Sequence, residues 1–339
     1  MTPRPKGKND VDAELAALEA LPTERPARGV KLAEALRARH YRVVAKAARL
    51  AEESLSYDLV PGLLATYPRF LDKPVKTDPN CLAKKAIVRA LVALDCDDVE
   101  FYRRGLGLRQ PEPVFGGARD TAAEVRGFCA MGLVASGYSR ALVELTALLH
   151  DAEPEARIGA VRAVACGNPR EAELLLRAKA FAGDAEPVVL GEALTGLLAV
   201  APEDSVPLVA GFLQHADEAV RELAALALGE SRLEAALVPL KNAWNDVLVG
   251  ENVRRALLRA AAAHRSEAAF AWLLALVADS RAAVALEVID ALALYKHNAK
   301  LAERLEATLR ERGDGALLAR FGELWPKLAG HGHDERGES

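Results

Sequence analysis

Four segments of this chain superimpose when each is written from its leading residue: DTAAEVRGFCAMGLV from Asp120, DAEPEARIGAVRAVA from Asp151, DAEPVVLGEALTGLL from Asp184 and HADEAVRELAALALG from His215. Weaker copies begin near Glu251 (ENVRRALLRAAAA) and Asp279 (DSRAAVALEVIDALA). One position of the frame falls at Arg126, Arg157, Leu190, Arg221, Arg254 and Ala285, so the copies recur about every 31 to 33 residues. A chain built from such units buries each apolar face against its neighbours and not in one central core. Its 339 residues are therefore free of the usual pressure to divide into separate globular domains.

Most copies follow another amphipathic stretch, such as SRALVELTALLH from Ser139 or PREAELLLRAKAFA from Pro169. Apolar residues in these runs return three and four positions apart, the helix period. Between them lie clusters of Asp, Gly, Asn and Pro (HDAEPE, CGNPRE, AGDAEP) that supply turns and helix N-caps. Composition agrees. Hydrophobic residues make up 51% of the chain but aromatics only 5%, a mixture that favours close helix packing over strands. Each unit therefore reads as helix, short turn, helix. Less regular pairs precede the aligned copies: one from Ala27, then SYDLVPGLLATYPRFL with DPNCLAKKAIVRALVALD across a DKPVKT turn. VDAELAALEALP reads as a capping helix, and LAERLEATLRER with ALLARFGELWPKLA as a terminal pair.

The Asp in the turn, followed by Val-Arg and an Ala/Leu-rich helix, resembles bacterial HEAT-repeat proteins, most closely the phycobilisome-lyase-like HEAT subgroup. The resemblance covers roughly residues 27–328. It implies an all-α fold: a right-handed α-solenoid of HEAT-type helix pairs, about nine of them at this period. Residues 10–26 are expected to form the capping helix and linker, with disordered tails at 1–9 and 329–339. The repeat carries scaffolds, adaptors and a few enzymes, so it fixes fold more firmly than function.

The formal net charge of −4 provides no global attraction to nucleic acid or anionic lipid. The charge is uneven, however, with roughly 21 basic and 17 acidic side chains in residues 1–120 and roughly 23 and 31 after them. The four cysteines have no CxxC spacing. Cys96 falls in an acidic turn, while Cys81, Cys129 and Cys166 sit in or beside apolar helical runs and read as buried free thiols. A reducing, cytoplasmic setting follows. No secretory leader is apparent, and no apolar run approaches about 18 residues, so no membrane association is expected.

Three groups of residues are candidates for function. The Asp and Arg pairs (Asp120 with Arg126, Asp151 with Arg157, Asp279 near Arg281) are expected to form a structural ladder between turns. Two basic clusters, Lys84, Lys85 and Arg89, and Arg254, Arg255 and Arg259, lie on second helices, which line the concave face in the fold that the chain resembles. Their spacing puts them on the same or adjoining helix faces. They could track phosphates or an acidic partner, or could be ordinary solvated surface. No aromatic residue is interleaved with them in sequence, which argues against base stacking.

The third group breaks the period. Lys84 holds the frame position of Arg126, yet about 42 residues separate the two, against the usual 31 to 33. The excess lies in GLGLRQPEPVFGGARD, where two prolines and a Gly-Gly pair forbid a helix. Loops on rigid scaffolds concentrate binding function. Tyr102, Arg103 and Arg104 approach this loop (105–119), and Arg109, Gln110, Glu112 and Phe115 form either a recognition patch or a fold-back in which Phe115 plugs a gap between units.

No catalytic or metal site is expected. HEAT-like deoxyhypusine hydroxylases hold a di-iron centre through His-Glu pairs, and none of the seven histidines here precedes a Glu. His331 and His333 sit in a tail with no fixed geometry. GxGxxG, Walker, GxSxG and HExxH motifs are absent. The expectation is a non-enzymatic scaffold or adaptor without cofactor, binding an unidentified protein through its concave face and the 105–119 loop. A nucleic-acid-binding HEAT-like protein and a phycobilin-lyase-like enzyme are the alternatives.

Overall fold

The computed structural model describes residues 8–21, 25–246 and 250–326. Residues 1–7 and 329–339 of the tails expected to be disordered therefore lie outside the described residues, as do His331, His333 and part of the first linker. Lys8 and Asn9, expected in the tail, begin the first helix instead.

Helix starts follow the local chemistry closely. Proline occupies the first turn of the helices beginning at Pro154, Pro169 and Pro202, where its missing N–H would be unpaired in any case. Asn168 also caps the helix from Pro169, and the side chains of Asp98, Asp217, Ser266, Asn298 and Asp314 cap others, by accepting N–H bonds from the first turn. His40 does the same, its Nδ1 accepting the N–H of Arg42 at 3.2 Å.

The chain divides into two compact units, residues 1–192 and 193–339. In the first, α1 (Lys8–Glu19) precedes the pair α2 (Arg25–Leu36) and α3 (Tyr41–Glu53). Next come α4 (Val60–Thr66), a single turn α5 (Pro74–Thr77) within the expected DKPVKT turn, and α6 (Leu82–Ala93). After α7 (Val99–Leu106), the predicted loop folds as a hairpin of β1 (Pro111–Val114) and β2 (Gly117–Asp120) and leads into α8 (Ala123–Ala135). The pairs α9 (Ala141–Leu148) with α10 (Pro154–Ala165), and α11 (Pro169–Ala182) with α12 (Pro187–Val200), follow. The division falls inside α12. The second unit holds α13 (Pro202–Gly211) with α14 (Glu218–Ser231), α15 (Leu237–Trp244) with α16 (Glu251–His264), α17 (Glu267–Asp279) with α18 (Ala282–Leu292), and α19 (Ala299–Arg312) with α20 (Gly315–Leu324). Among the described residues these are nine helix pairs in an all-α HEAT-type architecture, as the period predicts. No described helix is long and apolar enough to cross a membrane.

Second helices stack on one another: α3 on α6, α6 on α8 and α8 on α10 in the first unit, α14 on α16 and α16 on α18 in the second. Small residues permit this. A Cβ on Gly159 would lie 2.2 Å from the Gly127 Cα, so α8 and α10 meet backbone to backbone. Gly229 is pressed in the same way against the Ala260 backbone, where an added Cβ would lie 2.2 Å from the carbonyl oxygen. Fully buried Val44, Ile87, Leu91 and Leu133 fill the first core, and Leu273, Val288, Ile289 and Leu305 the second.

Two sequence expectations are corrected here. Cys166 is exposed, whereas Cys96, read as a turn residue, is buried with Cys81 and Cys129. Asp279 and Arg281 form no ion pair among the described residues; Arg281 occupies the N-cap of α18.

Candidate functional site

The hairpin is the first candidate. Its register sets Pro111 opposite Asp120, Glu112 opposite Arg119, Pro113 opposite Ala118 and Val114 opposite Gly117. The Thr121 N–H donates to the Gln110 carbonyl at 3.0 Å, which makes Gln110, Glu112 and Val114 the bonding positions. Both prolines fall on the alternate positions, where the absent N–H costs no ladder bond. Gly116 closes the two-residue turn at φ +88°, a left-handed conformation that a β-carbon disfavours.

Its base is buried and polar. The Glu112 carboxylate accepts from the Asn80 N–H (2.6 Å), the Gln110 amide (2.8 Å) and the Thr121 hydroxyl (2.6 Å). Gln110 also donates to the Asp78 carbonyl at 2.9 Å. Burial works to raise the Glu112 pKa, but these hydrogen bonds and the nearby Lys84 charge hold it below the usual carboxylate range. Gln110 and Glu112 are therefore anchors that tie the hairpin to the turn before α6, not members of an exposed recognition patch. Tyr102 is corrected too: its ring is fully buried and packs where a side chain at Gly132 would stand. Phe115 plugs no gap between units. It is fully exposed at the tip beside half-exposed Val114.

Behind the hairpin runs the ladder. Arg126 is fully buried and donates to both oxygens of Asp151 (3.0 and 2.7 Å), to Asp120 (2.7 Å) and to the Leu108 carbonyl (2.8 Å). Arg109 joins it, 2.9 Å from Asp151, so it braces the ladder although half its side chain faces solvent. One repeat on, Arg157 forks onto Asp184 at 2.8 and 2.7 Å and donates to the Asp151 carbonyl at 2.8 Å. Each Arg thus reaches the Asp of the following repeat; within its own unit Arg126 also holds the Asp120 carboxylate, whereas Arg157 meets the Asp151 backbone carbonyl. Burial tends to raise Asp184, but Arg157, Lys179 and the Glu186 N–H bring it down to about 2. Lys84 fills the equivalent place as the shared frame position implies. It is fully buried, 2.9 Å from Asp78 and 3.1 Å from the Phe70 carbonyl, and is withdrawn from the basic surface.

The second candidate is a cleft of about 570 Å³ between α1, α3, α6 and α8. Lys85 and Arg89 from α6 face Arg42, Lys46 and Arg49 from α3 across it. Leu15, Ala45, Ala86 and Phe128 supply apolar lining, so an aromatic absent from the local sequence is brought in from α8. Arg42, Lys46, Lys85 and Arg89 pair with Asp12, Glu19, Glu124 and Glu52 at 2.8–3.6 Å. Arg49 is exposed and has no ion-pair partner among the described residues. The sequence missed the α3 row, because Arg42, Lys46 and Arg49 look like an ordinary solvated face until α6 packs opposite.

The remaining sequence candidates separate. Arg103 pairs with Glu144 at 3.0 Å and lies over the Tyr138 ring, and Arg104 pairs with Glu100 at 3.0 Å. In the second unit Arg254 turns toward the Trp244 ring, 5.9 Å from its centroid. Arg255, bonded to Glu287 at 2.8 Å, and Arg259 line a different cleft. The expected lack of aromatics near these arginines is thus corrected by a helix packed from outside the cluster.

Burial pushes the Cys81 thiol up to about 11 and raises Cys129 as well, which keeps both protonated and unreactive. His215 accepts the Asp217 N–H at 3.1 Å, and His264 is bonded to the Leu233 carbonyl at 2.9 Å. Among the described residues no group of three or more His, Cys, Asp or Glu is gathered that could hold a metal ion.

Residues 174–247 match the family model described as HEAT repeats, so the chain carries HEAT repeats, the class to which its helix pairs and ladder already point. Among solved structures it is similar to human deoxyhypusine hydroxylase in complex with glycerol, at 16% identity over 85% of this chain and 96% of that one, with a TM-score of 0.29. It is also similar to an engineered protein, at 16% identity over 94% of both chains, with a TM-score of 0.38. No curated protein matches it.

Proposed function

We propose that this chain is a non-enzymatic protein-binding scaffold, a cytoplasmic adaptor of the bacterial phycobilisome-lyase-like HEAT subgroup that its repeats resemble. The observation that carries the reading is the hairpin. A solvent-exposed Val114–Phe115 tip stands on a base whose polar groups are tied to the turn before α6 and to the ladder. A backbone held in place presents the exposed ring without first having to order the loop, and buried aromatic anchors dominate protein interfaces.

The test compares wild type with Val114→Ser/Phe115→Ser in a crosslinked, nuclease-treated pull-down from the native lysate. Arg109→Ala is unsuitable for this purpose because it also breaks the ladder. One protein captured by wild type and lost with the variant, at unchanged thermal stability (within about 0.5 kcal/mol for a surface change), supports the scaffold. Recovery of only nucleic acid or a coloured small molecule sinks it.

A further inference from the structure

We infer that the cleft between α3 and α6 receives a short acidic segment of a protein partner, carrying an apolar side chain between its carboxylates. The inference rests on the chain being a binding protein but not on the hairpin. Two rows of cations define the cleft: Arg42, Lys46 and Arg49 at i, i+4 and i+7 on α3, and Lys85 and Arg89 at i and i+4 on α6. Five cations line it against two carboxylates, Glu19 and Glu124, in a chain whose net charge is negative.

The existing ion pairs show which anion these cations accept. Four of the five already hold a carboxylate from a neighbouring helix, and Arg49 is left to begin an exchange. Exposed pairs of this kind are weak and readily traded. An incoming glutamate side chain therefore replaces like with like, while Asp12, Glu19, Glu52 and Glu124 swing to solvent. The floor adds a second requirement. Leu15, Ala45, Ala86 and Phe128 form an apolar surface that a bare polyanion would leave wet, whereas a leucine-sized group would cover it. A nucleic acid fits less well, because only one ring is present for stacking and a phosphate chain leaves the apolar floor uncovered.

The experiment is fluorescence anisotropy on the full chain with a short fluorescein-labelled peptide of alternating Glu and Leu. An all-Glu peptide and a single-stranded oligothymidylate of equal charge serve as comparisons. The Glu/Leu peptide is expected to bind most tightly and to weaken as salt shortens the screening length to about 10 Å and below. Arg49→Glu/Lys85→Glu should reduce its affinity about tenfold or more, and Arg49→Gln/Lys85→Gln by less, with helicity unchanged in both. Phe128→Ala should weaken the Glu/Leu peptide but leave the all-Glu peptide alone. Phe115→Ser should change nothing, so a failure of the hairpin reading is seen separately. The inference is overturned if the Glu/Leu peptide does not bind, if charge reversal leaves its binding unchanged, or if the oligonucleotide binds more tightly.

Discussion

The first unit's cleft, about 570 Å³, is matched in the second by one of about 580 Å³ lined from α14, α16 and α18. Both are built from second helices that pack closely, and both mix arginines with apolar side chains. Their charge is opposite. In the second cleft Arg255 and Arg259 face Glu230, Glu287 and Asp290, so carboxylates outnumber cations where the first has the reverse. The same repeat geometry therefore yields surfaces that would select different partners, because the packed positions fix the helices while the outward positions are free to vary.

The difference extends below the surface. At one position of the repeat frame the first unit has Arg126, buried between two carboxylates, and the second has Arg254, set against a tryptophan ring. Arg126→Ala should remove about 3–5 kcal/mol, because it strips the counter-charge from Asp120 and Asp151. Arg254→Ala should cost about 1–2 kcal/mol, the worth of one partly buried cation–π contact. Urea denaturation of both variants measures this, and equal losses would break the contrast between the units.

Acid should separate the units as well. The carboxylates held below their usual range, Glu112, Asp120 and Asp184, all belong to the first unit. A depressed folded-state pKa means that the unfolded chain binds more protons as pH falls. The stability these groups contribute is thus complete above about pH 5 and is lost as pH drops toward about 2. Hydrogen exchange followed by mass spectrometry between pH 6 and pH 3 is expected to show residues around the hairpin and ladder losing protection before α14–α18 (roughly, from the window above). Simultaneous loss throughout would refute the assignment.

The smallest effect would sharpen the cleft comparison. Glu230→Lys/Asp290→Lys leaves the second cleft with four cations against one carboxylate. It should then bind the Glu/Leu peptide measurably, gaining about tenfold, or about 1.4 kcal/mol, with the first cleft silenced by Arg49→Glu/Lys85→Glu. No gain would mean that the apolar floor or helix spacing, and not charge, decides the ligand.

Much of this protein was legible as sequence. The frame from Arg126 to Ala285, the Asp and Pro residues at helix starts, and the number of helix pairs are all local or periodic signals, and backbone and side-chain chemistry within a few residues fixes each of them. The insertion near residue 110 was visible as a break in period, but its hairpin was not. Pro111 and Pro113 look like strand breakers until the register sets both on non-bonding positions.

Tertiary structure decided what the charges do. Lys84 and Lys85 are neighbours in sequence, yet one is buried against Asp78 and the other faces the cleft. A helix turns about 100° per residue, so adjacent side chains meet different surroundings. Arg126 finds Asp151, Lys85 finds Glu124 and Arg254 finds Trp244 across gaps in sequence that no local pattern spans. Whether a cation becomes a strut, a cleft wall or a stacked side chain depends on the helix packed opposite, and only the folded chain supplies that helix.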